Sequence, residues 1–224
     1  MGAVFKKELK AYFLSPVGYV VIGIFLLFFS ISFRYDILDY ATIDLGYLYS
    51  FTAAWGLVVI IPILTMRSFS EERKSGTEQL LFTSPTSMFR VVMGKFFAAT
   101  TVILITLVIS LIYFAILSVF GKPNIITTLV QILGFLLMSM AAISFGLFAS
   151  SLTENQVVSG IITVAFLLLN IFVDIKVLNL NLLNYYNGFQ KGVISIEDTI
   201  SLLLYAFVFI SLTIIVMQRR KLVK

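Results

Sequence analysis

The chain has 224 residues, 60% of them hydrophobic and 12% charged, with a mean hydropathy of +1.05 and a net charge of +5. That composition is far from soluble averages and indicates a polytopic membrane protein with no room for a separate water-soluble domain, so residues 1–224 read as one domain. The chain has no cysteine and no histidine, which excludes disulfides, thiol chemistry, imidazole bases and the usual zinc or haem ligands.

Residues 3–14 come first. At 100° per residue, Val4, Phe5, Leu9, Tyr12 and Phe13 share one half of a helix, and Lys6, Lys7 and Lys10 share the other. This pattern predicts a helix lying in the inner interface, lysines towards anionic lipid headgroups and Phe13 on the apolar side. A plain charged flank is the alternative. Ser15 and Pro16 end the element, because proline disfavours helix in the residue before it and suits the first turn of the next. No small-residue cleavage site follows, so the first span is expected to stay attached.

Uncharged stretches long enough to cross a bilayer fall near 17–33, 46–66, 96–120, 127–149, 157–173 and 200–217. They predict an all-α integral membrane protein with six transmembrane helices. The fourth sits in an uncharged stretch from Pro123 to Thr153, longer than needed, and is expected to be tilted or broken, with Gly134 or Gly146 as the break. Lysine and arginine set the orientation. The amino-terminal segment, the segment 67–95 and the tail carry twelve, against four (Arg34, Lys122, Lys176 and Lys191) on the other side. Both termini are therefore expected to be cytoplasmic.

Segment 67–95 is the one organised polar stretch. Glu71, Glu72, Arg73, Lys74 and Glu78 mix both signs at spacings of three and four, which supports a short solvated helix. Gly76 gives a local break beside Thr77, and Ser84 and Pro85 end the apolar run that starts at Leu80 and Leu81. Charged shoulders around an apolar knob suit insertion into a partner's groove, against the plainer reading of a solvated loop. The acids interleave with the bases, so no nucleic-acid surface forms. The last outer loop, 174–199, is too long for a simple hairpin. Tyr185, Tyr186 and Phe189 suit the headgroup layer, in short helices that dip into the outer leaflet or in an ordinary surface loop.

No Asp, Glu, Lys or Arg lies inside any expected span. That weighs against an ion-driven carrier and against an intramembrane hydrolase. Ser110, Ser139 and Ser144 have no basic partner in reach and read as packing groups. Gln131, Asn155 and Asn170 could line a pathway or pack helices. Gly94-Lys95 is followed by Phe96 and Gly121-Lys122 by Pro123, so neither makes a phosphate loop. The chain is non-catalytic on this reading, and its energy comes from elsewhere.

The order of these residues resembles the permease subunits of type-two ABC transporters over nearly the whole chain. It does so at Lys6, Lys7, Glu8, Leu9 and Lys10, then at Phe13, Leu14, Ser15 and Pro16. The most specific part is Pro62, Thr65, Met66, Arg67, Phe69, Glu71, Glu72, Ser75 to Glu78, Leu80, Leu81, Ser84, Pro85 and Gly94 to Phe96. Gly146 to Gln156, Phe189 to Ile194, Asp198, Arg219 and Arg220 continue it. Within the family the likeness is nearest to permeases associated with gliding motility.

The resemblance implies an amphipathic amino-terminal helix, a cytoplasmic coupling helix between spans two and three, and short re-entrant helices before the last span. It implies a dimer, with a second permease copy or a related permease, over cytoplasmic ABC ATP-binding subunits that hold the ATP and magnesium. This chain is expected to hold no cofactor and no metal. Carried over, Glu71, Glu72, Gly76, Thr77, Glu78, Leu80, Ser84 and Pro85 meet the ATPase, with Glu154 in a second contact between Ser150 and Gln156. Tyr185, Tyr186, Phe189 and Gly192 fall at the outer gate, where many relatives carry a histidine and this chain has Tyr185, Tyr186 and Asn187. The implied function is transport, export by family habit, across a bacterial-type cytoplasmic membrane. A membrane anchor that recruits a cytoplasmic ATPase without transporting is the rival, and a passive channel is weaker because no ring of charges suggests a filter.

Overall fold

The computed structural model describes residues 2–35, 44–79, 86–172 and 181–223, and among these the chain is helical with no strand. Helix α1 (Gly2–Leu14) and α2 (Val17–Phe33) meet at 68° across Ser15 and Pro16. Pro16 has no N–H to continue the first helix, and its fixed φ suits the start of the second. The 3.6 period of α1 sorts its side chains: Val4, Phe5, Leu9, Tyr12 and Phe13 are half-buried, while Lys6, Lys7 and Lys10 are exposed.

The next helical stretch, Gly46–Lys74, is built in pieces. Helix α3 (Gly46–Phe51) widens into a π-helical turn, Thr52–Gly56, then tightens to α4 (Leu57–Thr65) and, past a turn, to α5 (Ser70–Lys74). Helices α6 (Met88–Phe120), α7 (Ile125–Leu152), α8 (Gln156–Phe172), α9 (Leu182–Gln190) and α10 (Ile196–Val223) follow. Asparagine starts three of them. Asn124, Asn155 and Asn181 each accept a hydrogen bond from the backbone N–H two residues on, at 2.9–3.0 Å, satisfying a donor that the helix leaves free.

Four stretches are long and apolar enough to cross a bilayer: Gly46–Lys74, Met88–Phe120, Ile125–Leu152 and Ile196–Leu222. The bent pair α1–α2 makes a fifth if it counts as one crossing, and α8 is apolar but only 17 residues long. The protein is a multi-pass membrane protein. Helix α6 starts at Met88, upstream of the uncharged stretch near 96–120 that it contains, and carries Arg90 and Lys95 in its early turns. One expectation is corrected: helix α7 runs unbroken through Gly134 and Gly146, so of the two alternatives given for this stretch a break there is ruled out.

Those glycines admit neighbours instead. A Cβ on Gly134 would lie 2.3 Å from the Phe189 Cβ, and one on Gly146 would lie 2.2 Å from the Thr65 Oγ1. Small residues let α9 and α4 approach the α7 backbone. Helix α7 is the centre of the packing and touches α4, α6, α8, α9 and α10. Aromatic rings fill two seams around it. Phe25, Phe29, Tyr49 and Phe135 contact in one, with Phe29 and Tyr49 ring centres 4.9 Å apart; Phe145, Phe166, Tyr205 and Phe209 form the other. The polar side chains fall into place as packing groups: Ser110 and Tyr49 hydroxyls are 2.8 Å apart, and the buried Ser139 and Ser144 donate back to carbonyls of their own helix.

Candidate functional site

One end of the bundle gathers α1, α5, the start of α6, the end of α7 and the end of α10 around two clusters of charge. The first centres on Lys95, which is only 2% exposed. Its ammonium donates to Glu8 at 3.0 Å, to Glu72 at 2.9 Å and to the Ser68 carbonyl at 2.7 Å. All three protons of the amine are thus taken by protein oxygens, and the cation also sits 5.1 Å from the centre of the Phe69 ring. Lys7 stands 3.8 Å from the same Glu72 oxygen. A charge this deep persists only when paired and fully hydrogen-bonded, so α1, α5 and α6 are held as one unit.

The second cluster closes the other side. Arg73 lies 3.9 Å from Glu78 and 3.8 Å from Glu154, and Arg220 near the end of α10 reaches Glu78 at 3.9 Å. Both guanidinium groups also donate to the last carbonyl of α7, that of Leu152, at 3.2–3.3 Å. Two cations at a helix C-terminus complement its dipole and satisfy a carbonyl that has no helical partner.

Between the clusters, the buried Ser150 hydroxyl accepts from the backbone N–H groups of Phe69 and Ser70, at 3.0 and 3.2 Å, and donates to the Met66 carbonyl at 3.2 Å. Ser70 donates to that same carbonyl. One side chain of α7 therefore sets the turn that launches α5. Ser150→Ala leaves buried donors unsatisfied, an expected loss of about 1–3 kcal/mol, readable as a lowered thermal midpoint in detergent.

The predicted site residues divide into two faces. Glu72 and Glu78 point into the clusters, and Glu72 keeps one buried oxygen without a hydrogen-bond partner among the described residues. Glu71 pairs with Arg67 at 3.0 Å on the surface. Lys74, Gly76 (φ +73°) and Thr77 are exposed. Glu154, also exposed, lines an open groove of about 330 Å³ with Lys74, Asn155, Gln156 and Val157. Leu80, Ser84 and Pro85 lie outside the described residues. Lys6, Lys7 and Lys10 are on the exposed side of α1, and Phe13 packs edge-on to Tyr19 with ring centres 5.9 Å apart.

At the opposite end, Tyr186 and Phe189 of α9 are buried, while Tyr185 and Gly192 are half-buried. Burial, with Tyr49 and Asp44 adding to it, pushes the Tyr186 hydroxyl well above its usual value, so it remains a neutral phenol. Gln131 donates to Asp44 at 2.9 Å and to the Gln190 carbonyl at 3.0 Å, tying α7 to both neighbouring segments. Asn170 donates to Phe166 and accepts from Leu182. Gln131 and Asn170 thus act in packing, and Asn155 in capping.

Sequence reasoning left Lys95, Glu8 and Arg220 out of the site. Glu8 carried a signal, since it falls at i, i+4 between Val4 and Tyr12 on the apolar face of α1. None of the curated proteins matches this chain closely enough to count as a relative. The model of the family described as ABC-2 family transporter proteins matches residues 39–221. That match spans most of the chain, and the chain belongs to the ABC-2 transporter family.

Proposed function

We propose that this chain is the permease subunit of an ABC exporter and that residues 70–78 transmit the work of a separate ATP-binding subunit. The observation that carries this is the pair of charge clusters. A short polar helix would follow a partner's motion without passing it on if it hung on a loose loop. Here Lys95, Arg73, Arg220 and Ser150 bolt it to four other helices. The outward residues Glu71, Lys74, Gly76 and Thr77, with Glu154 across the groove, form the contact face. Glu72 and Glu78 act behind it as struts.

On this reading all six apolar helices, α2 and α8 included, cross the cytoplasmic membrane of a bacterial-type cell, with both termini on the ATPase side. The twelve-to-four split of Lys and Arg supports that orientation. The whole chain acts as one domain. Two copies, or one copy with a related permease, enclose the path, and ATP with magnesium binds only on the partner chain. Nearest kinship to gliding-motility permeases belongs to the same proposal, as does the outer gate at Tyr185, Tyr186, Phe189 and Gly192. ATP closes the ATPase pair, the braced segment follows, and the helices behind it shift.

Lys74→Glu tests the contact face. The side chain is exposed, so stability should change by no more than about 0.5 kcal/mol. Co-purification of the tagged parent should recover a bound ATPase that the variant loses. Equal recovery by both would sink the docking assignment. A complex that hydrolyses ATP without any flux would instead favour a scaffold.

A further inference from the structure

A cavity of about 230 Å³ lies at the corner between α1 and α2, beside the start of the polar segment, lined by Glu8, Tyr12, Ser15, Arg67, Ser68 and Glu71 among others. It is smaller than pockets that hold drug-sized ligands and matches a single compact polar group. Its polar groups are of both signs. Arg67 uses Nε and Nη2 on Glu71, and Nη1 makes no hydrogen bond among the described residues. Glu8 gives one carboxylate oxygen to Lys95, and the other has no hydrogen-bond partner among the described residues. The Ser68 residue is 7% exposed, and its buried hydroxyl has the Tyr12 hydroxyl as neighbour but makes no hydrogen bond of good geometry among the described residues. The rest of the lining is apolar: Ala11, Val17, Ile63 and Leu64. Outside it, Leu14, Tyr19 and Val20 are exposed along the same corner.

We propose that this cavity binds a zwitterionic phosphate–ammonium headgroup, that of an aminophospholipid in the adjoining leaflet. The phosphate meets the Arg67 guanidinium and the Ser68 and Ser15 hydroxyls, and the ammonium meets the Glu8 carboxylate. A purely anionic headgroup would face Glu8 and Glu71 together, and a simple cation would face Arg67, so opposite charges in one ligand fit best. The acyl chains continue over Leu14, Tyr19 and Val20. The site shares Glu71 with the segment proposed to dock the ATPase. It rests on that reading only for the orientation of this end of the bundle.

The test uses the full chain alone, without any ATPase, so its failure is separate from a failure of the docking assignment. The purified, delipidated protein is titrated with phosphatidylethanolamine or phosphatidylglycerol, and bound lipid is read by native mass spectrometry. Phosphatidylethanolamine should bind at one per chain and at least tenfold tighter than phosphatidylglycerol. Ala11→Trp, which fills the cavity from an exposed position, should abolish that preference, and Arg67→Gln should weaken it about tenfold (on the order of one strong charge-assisted contact). If Ala11→Trp does not fold, Arg67→Gln carries the test. Equal retention of the two lipids, or an unchanged preference in the folded variants, overturns the proposal. Soluble phosphoethanolamine is added as a competitor. Failure to displace the lipid at tenfold excess supports a membrane ligand, whereas displacement at equal concentration makes the occupant a free metabolite and overturns the lipid assignment.

Discussion

Lys95→Met is expected to be the most damaging single substitution in this protein. It removes the cation between Glu8 and Glu72 and leaves the Ser68 carbonyl without its donor. Breaking a buried pair by deleting one partner costs about 3–5 kcal/mol, a large share of a typical folding free energy. The single tryptophan, Trp55, offers a fluorescence readout of thermal unfolding in detergent. The triple variant Lys95→Met, Glu8→Gln, Glu72→Gln should recover much of the loss, because it removes the stranded charges as well as the pair. A Lys95→Met protein that melts with the parent would show that the cluster bears no strain. If the proposed function holds, Lys95→Met should also uncouple ATP hydrolysis from transport even when the ATPase still binds.

Gly146→Ala should also have a large effect, from one methyl group. The new Cβ would stand 2.2 Å from the Thr65 Oγ1, 2.9 Å from its Cβ and 3.0 Å from its Cγ2. Thr65 is branched at Cβ and its hydroxyl is already spent on the Ile61 carbonyl at 2.8 Å, so rotation offers no escape. Helix α4 must move away from α7, at an expected cost of about 1–3 kcal/mol. Adding Thr65→Ala removes two of the three clashing atoms and should restore part of the melting temperature. No recovery in the double variant would mean that the clash lies elsewhere. Because α4 leads directly into α5, the displacement should also loosen the turn held by Ser150.

How legible was this in the sequence? The face of α1 was, because three lysines and five apolar residues at a 3.6 period leave one orientation that buries the right groups. The corner at Ser15 and Pro16 was too, since its cause is local. Lys95 was not: a window that scores apolar length treats any charge as a boundary, so a lysine buried by partners 87 and 23 residues away looks like the edge of a loop. Gly134 and Gly146 were ambiguous for a physical reason. A glycine in an apolar helix serves equally as a weak point or as a seat for a neighbour, and only the neighbour decides. Ser150 stood in a segment assigned to an outside contact, yet its hydroxyl faces inwards. Direction of this kind depends on how α5 packs on α7, which no short pattern encodes.

The wide turn at Thr52–Gly56 sets a limit on how this stretch tolerates change in length. A π turn accommodates one residue more than an α turn, and deleting one residue there would leave a regular helix with perfectly good hydrogen bonds. Everything before it would then swing by about 100°. Tyr49 would leave the hydroxyl of Ser110 and the rings of Phe29 and Phe135, and Leu48 would leave the core with it. The number of residues in this turn is fixed by what stands upstream, quite apart from which side chains fill it.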